Sequence, residues 1–177
     1  MSVLAGPFAI AAVVLALGGA FKALEPADTA HALGALGLPA SRALVRVGGA
    51  LEAILAIGAL VTGNPVLAAL VAVSYVLFAV VVAAALRSGK PISSCGCFGK
   101  VDTPPSALHV VLNVAAAGIA AGAVFVGGSE INLPDVLADQ PLLGIPFLVL
   151  VAVGVGLVFL ALTALPKTMA AARSVRP

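Results

Sequence analysis

The chain has 177 residues, 62% of them hydrophobic and 9% charged, with nine Lys and Arg against seven Asp and Glu and a formal net charge of +2. Its mean hydropathy of +1.23 excludes a water-soluble domain with an ordinary surface. Apolar residues run continuously rather than alternating every second position, which also excludes a barrel of membrane strands.

Helices that cross about 30 Å of hydrocarbon at about 1.5 Å per residue need roughly 20 apolar residues each. Five segments qualify, at about 3–24, 44–61, 65–86, 107–126 and 142–165. The expected fold is an all-α membrane protein, a bundle of about five transmembrane helices forming one integral membrane domain over 1–177. The start, "MSVLAGPF", has no basic residue, and no small-residue cleavage site precedes a polar mature chain, so the first helix is expected to stay. Between the first two spans, "EPADTAHALGALGLPAS" (25–41) reads as a short helix on the membrane surface, with Asp28 as its N-cap and Pro39 as its stop; a plain loop is the alternative.

All nine basic residues fall on one side of a five-span arrangement: Lys22, Arg42 and Arg46, then Arg87, Lys90 and Lys100, then Lys167, Arg173 and Arg176. The other side receives the N-terminus, the turn "TGN" at 62–64, and "GGSEINLPDVLADQP" with Glu130, Asp135 and Asp139. Basic residues concentrate in cytoplasmic loops, so the N-terminus is predicted outside and the C-terminus in the cytoplasm of a multi-pass protein of the cell membrane.

Two groups of residues are costly in such a chain. Glu52 sits within the second span, where an ionisable group is disfavoured by a few kcal/mol unless partnered or hydrated. Lys22 closes the first span on the same predicted side, and antiparallel packing lets its long stem reach Glu52. Such a pair either fixes helix register or takes part in proton transfer. His109 and Asn113, four residues apart at the start of the fourth span, share one helical face just after a polar loop.

That loop, "PISSCGCFGKVDTPP" (91–105), holds both cysteines of the chain, Cys95 and Cys97, around Gly96. Gly96 and Gly99 allow backbone conformations closed to other residues, the prolines stop the flanking helices, and Phe98 is placed to anchor the hairpin at the interface. A disulfide across one residue closes a small, strained ring and is comparatively easy to reduce. It removes little unfolded-state entropy, so it suits electron transfer better than stapling. His109 beside a cysteine can take its proton and raise the thiolate fraction; an interfacial histidine bonded to water is the plainer reading. The same thiols, with His109 as a third ligand, also suit Cu(I), Zn or Hg.

"CGCFG" between a third and a fourth helix resembles the MauE family of methylamine-utilisation membrane proteins, grouped with the DoxX-like proteins. The stretch "LGGAFKALEPADTAHALGALGLPASRALVRVGGALEAILAIGAL" (17–60) is similar to that family's opening, and the likeness covers roughly 14–118. The resemblance implies a helical bundle in thiol-disulfide chemistry, working with a thioredoxin-like partner outside the cytoplasm that helps exported disulfide-containing proteins mature. Cys95 and Cys97 are then the redox pair, and Lys22, Glu52 and Asn113 match family membrane positions. Where family members often carry Arg directly before that Asn, this chain has Leu112.

The expected function is therefore a membrane thiol-disulfide relay, a thiol-disulfide oxidoreductase in which Cys95, Cys97 and His109 do the chemistry and Gly96, Phe98, Gly99, Asn113, Lys22 and Glu52 support it. Cys97, nearer His109 in the chain, is slightly favoured as the attacking thiol. An outward partner and inward cysteines are reconciled if the loop is reached from both sides, or if the basic residues serve the site rather than topology. A quinone is a candidate second redox partner that no single residue demands. Soft-metal binding and a structural role in a larger complex, through Gly154 and Gly156 of the last helix, are the alternatives. No nucleotide or haem signature is present, and no nucleic-acid partner is expected.

Overall fold

The computed structural model describes residues 2–88, 105–126, 132–139, 141–165 and 168. Within them lie seven helices: α1 (Ala5–Leu24), α2 (Ala27–Ala35), α3 (Arg42–Thr62), α4 (Pro65–Ser88), α5 (Ala107–Val126), α6 (Leu133–Asp139) and α7 (Pro141–Thr163). Five are long and apolar enough to cross a membrane: α1, α3, α4, α5 and the Gly144–Thr163 part of α7. The protein is an all-α, multi-pass membrane protein in contact with the lipid bilayer.

Local chemistry sets the helix ends. Ser41 caps α3, its Oγ accepting from the Leu44 backbone N–H at 3.1 Å, which starts that helix two residues before the apolar run begins. Gly63, at φ 61°, ends it in the left-handed conformation that glycine adopts without penalty. Asn64 then caps α4 by accepting from Val66 N–H at 2.8 Å, with Pro65 in the first helical position where no N–H is needed. The surface segment is indeed helical, but its ends differ from expectation. Asp28 lies in the first turn of α2 rather than at its N-cap, which is Pro26 with no side-chain cap. Gly37 rather than Pro39 stops it: at φ 78° it lets Leu38 N–H reach Leu33 O at 3.1 Å and its own N–H reach Gly34 O at 2.9 Å, the Schellman pattern. The acidic loop also holds a helix the sequence reading did not anticipate, α6, with Asn132 Oδ1 accepting from Asp135 N–H at 3.4 Å.

α1 is the centre of the bundle, packed closely on α3 and also against α5 and α7, while α4 pairs with α5. The shared core is mostly alanine: Ala12, Ala56, Ala68, Ala120 and Ala123 are almost wholly buried around Phe8, Leu15 and Val71. Lipid offers no hydrophobic drive for helix association, so small residues that let backbones approach are what hold such a bundle. The large aliphatics face outward instead, among them Leu51 and Ile54 of α3 and Val73 and Val80 of α4. One buried polar clamp joins α4 to α1: Tyr75 Oη donates to Ala11 O at 2.6 Å. Tyr75→Phe removes only that bond and is expected to cost about 0.5–1.5 kcal/mol, read as a lowered unfolding midpoint in detergent.

The α1–α3 crossing is closest at two glycines. A Cβ built on Gly49 meets Gly19 O at 2.6 Å and Lys22 Cβ at 2.8 Å, and one on Gly19 meets Ala53 N at 2.8 Å. Each glycine exists to admit the other helix's backbone. At the neighbouring Gly48 a Cβ meets nothing within 4 Å. Gly49→Ala is therefore expected to destabilise by about 1–3 kcal/mol, whereas Gly48→Ala gains up to about 1 kcal/mol of helix propensity. Thermal unfolding of the two variants side by side checks the contrast.

Candidate functional site

The costly residues of the sequence converge at one end of the bundle. Because the spans alternate in direction, the end of α1, the start of α3, the end of α4 and the start of α5 share a side, the side on which residues 89–104 link α4 to α5. Lys22 comes from the last turn of α1 and Glu52 from α3, and the close glycine crossing brings them together. Lys22 Nζ donates to Glu52 Oε2 in an ion pair whose side chains are 8% and 20% exposed. The ammonium also lies over the Phe78 ring of α4, 4.0 Å from its centroid, so three helices share one charge. Phe78 is held in turn by an edge-to-face contact with Tyr75, 6.3 Å between centroids. Arg46 of α3 adds a tie on the same side, its Nε donating to Ala23 O at 3.1 Å, one of the carbonyls that the end of α1 leaves unpaired.

His109 and Asn113 stand on the inner side of α5. His109 is 2% exposed, and its Nδ1 shares a hydrogen bond with Ser106 Oγ at 2.8 Å. With Nδ1 so engaged, Nε2 is the second nitrogen through which the ring can exchange a proton. Asn113 turns back on its own helix, Nδ2 donating to His109 O at 2.7 Å. Both residues line a small cavity of ≈ 40 Å³ together with Lys22, Tyr75 and Phe78. Val14, Leu15, Gly18 and Leu162 complete its wall, which is mostly apolar. On its other side Lys22 lines a larger pocket of ≈ 250 Å³ with Glu52 and Phe78, walled by α2, α3 and α4. Lys22 and Phe78, the cation and the ring beneath it, thus line both spaces.

Cys95, Cys97, Gly96, Phe98 and Gly99 lie outside the described residues. What the structure does place is the frame of their loop: α4 ends at Ser88 and α5 begins at Ala107, two residues ahead of His109. Among the described residues no group of three or more His, Cys, Asp and Glu comes together. Sequence reasoning missed Phe78, Ser106 and the glycine crossing. For the last there was a signal: "GGAFK" and "GGALE" each put a glycine three residues ahead of the charge, Gly19 before Lys22 and Gly49 before Glu52.

An Ala-rich bundle of membrane helices, with an ion pair buried at a glycine crossing and two cysteines in the segment joining α4 to α5, defines a class of small polytopic proteins built around an internal polar site. The chain belongs to the MauE family: the family model for methylamine utilisation protein MauE matches residues 1–126. That match takes in α1 to α5 and the whole loop between α4 and α5, and ends before α6 and α7. Neither a curated protein nor a solved structure matches the chain.

Proposed function

We propose that the protein is a membrane thiol-disulfide relay that exchanges electrons with a thioredoxin-like partner through Cys95 and Cys97, in support of disulfide formation in exported proteins. The observation that carries this reading is the Cys-Gly-Cys sequence of a MauE-family chain, in the segment that joins α4 to α5, two of the four helices that build the buried polar site. One thiolate attacks a sulfur of the partner's disulfide, forming a mixed disulfide and releasing the partner's other thiolate. The second cysteine then attacks the first, closing the Cys95–Cys97 disulfide and freeing the partner as a dithiol; the reverse sequence oxidises the partner. His109, in the first turn of α5, supports this as the proton-exchanging group that follows the cysteine segment in the chain, and Lys22 and Glu52 as the charges that tie α1 to α3.

The relay reading predicts that the cysteine pair changes state within the range of cellular redox buffers. Equilibrating the purified protein with graded glutathione mixtures, then trapping free thiols by alkylation and counting them by intact mass, should give a single two-electron transition with a midpoint less reducing than about −300 mV, the region below which structural disulfides sit. A pair that stays in one state across the whole range defeats the reading.

A further inference from the structure

The ≈ 250 Å³ pocket beside Lys22 and Glu52 is not needed to hold the helices and is not used by thiol exchange itself. We infer that it is a binding site for the headgroup of a membrane-soluble quinone. Four observations lead there. Apart from Lys22, Glu52 and Thr29, every residue lining it is apolar, which suits a ring and its alkyl substituents. The volume falls just below the roughly 300–1,000 Å³ of sites that enclose a whole drug-sized ligand, so the pocket fits a headgroup whose tail stays in lipid. Its polar end is already neutral as a pair, since Lys22 meets Glu52. A phosphate there would stand beside the Glu52 carboxylate, whereas a neutral ring carbonyl can accept from the ammonium, which has three donors and gives one to Oε2. Finally, Ala85 and Pro105 line the pocket, one shortly before and one directly after the segment 89–104 that carries both cysteines.

The site completes the relay, and its role in turnover rests on that reading although binding does not. A quinone that takes two electrons and two protons from the Cys95 and Cys97 thiols becomes a quinol and leaves their disulfide, which then oxidises the thioredoxin-like partner. The pocket would hold the acceptor against Ala85 and Pro105, which flank the cysteine segment in the chain, and Lys22 would hydrogen-bond the carbonyl that gains electron density.

The test is photolabelling with an azido-quinone of the protein in phosphatidylcholine nanodiscs, with labelled peptides mapped by mass spectrometry. Label is expected on the α2–α3 and α4 segments that wall the pocket, displaced by decyl-quinone and not by phosphatidylglycerol. Gly48→Leu grows a side chain from the α3 wall into space where a Cβ meets nothing, and Leu33→Phe fills the pocket from α2; either, when its unfolding midpoint matches wild type, is expected to lower labelling about tenfold or more. The double variant Cys95→Ser, Cys97→Ser should label like wild type, so a failed relay leaves this result standing. Labelling unchanged in both blocked variants, or displaced equally by phosphatidylglycerol, overturns the assignment.

Discussion

Replacing Cys95 or Cys97 singly with Ser should abolish turnover with a thioredoxin-like partner and leave one of the two variants covalently attached to it. The reasoning is the two-step exchange: the attacking thiol alone can form the mixed disulfide but nothing remains to resolve it, while the resolving thiol alone reacts far more slowly. A hydroxyl of nearly the same size takes the place of the thiol without filling or emptying space, so the bundle should unfold at its usual temperature. The variant that retains the attacker accumulates a band of summed mass on non-reducing gels that disappears on reduction. Cys95→Ser is the variant expected to trap, since Cys97 stands nearer His109 in the chain. Full activity in both single variants contradicts the mechanism outright.

The second large effect concerns stability. Lys22→Met leaves Glu52 without its partner at the glycine crossing and removes the cation from the Phe78 ring. Breaking a buried ion pair from one side costs about 3–5 kcal/mol, and the lower end applies because the Glu52 side chain keeps 20% of its surface exposed. Removing both charges is gentler, for no orphan is left in a medium that solvates charge poorly. A double-mutant cycle with Lys22→Met and Glu52→Gln, read by thermal unfolding in detergent, should therefore show the double variant more stable than Lys22→Met alone, with a coupling of about 1–3 kcal/mol. Additive losses would show that the two side chains act separately.

The reach of the sequence follows from which interactions are local. The span predicted at 107–126 coincides with α5, because Pro104 and Pro105 precede it and its apolar run is unbroken. α4 continues to Ser88, two residues past the predicted 86, since Arg87 and Ser88 extend the helix at its polar end and hydropathy does not register them. The pairing of Lys22 with Glu52 was legible because antiparallel neighbours with charges near the same end have few other ways to satisfy them. Phe78 beneath the ammonium was not, since a phenylalanine in an apolar helix carries no sign of which neighbour it faces. The burial of His109 was equally hidden: its partner Ser106 is three residues away, but the cavity it lines is assembled from four helices. α2 shows the limit of reading caps from residue type. Asp28 and Pro39 are plausible punctuation, yet the φ of Gly37 decides where the helix ends.

The most direct test of the relay is sided thiol labelling in intact cells, using a membrane-impermeant maleimide with and without prior mild reduction. The charge asymmetry and the redox assignment together predict labelling of Cys95 and Cys97 only after reduction, and only once the cells are opened. Labelling from outside after reduction would keep the relay and invert the orientation. Thiols that react fully without any reduction, whatever the side, would contradict the relay and favour a soft-metal site on the same two cysteines.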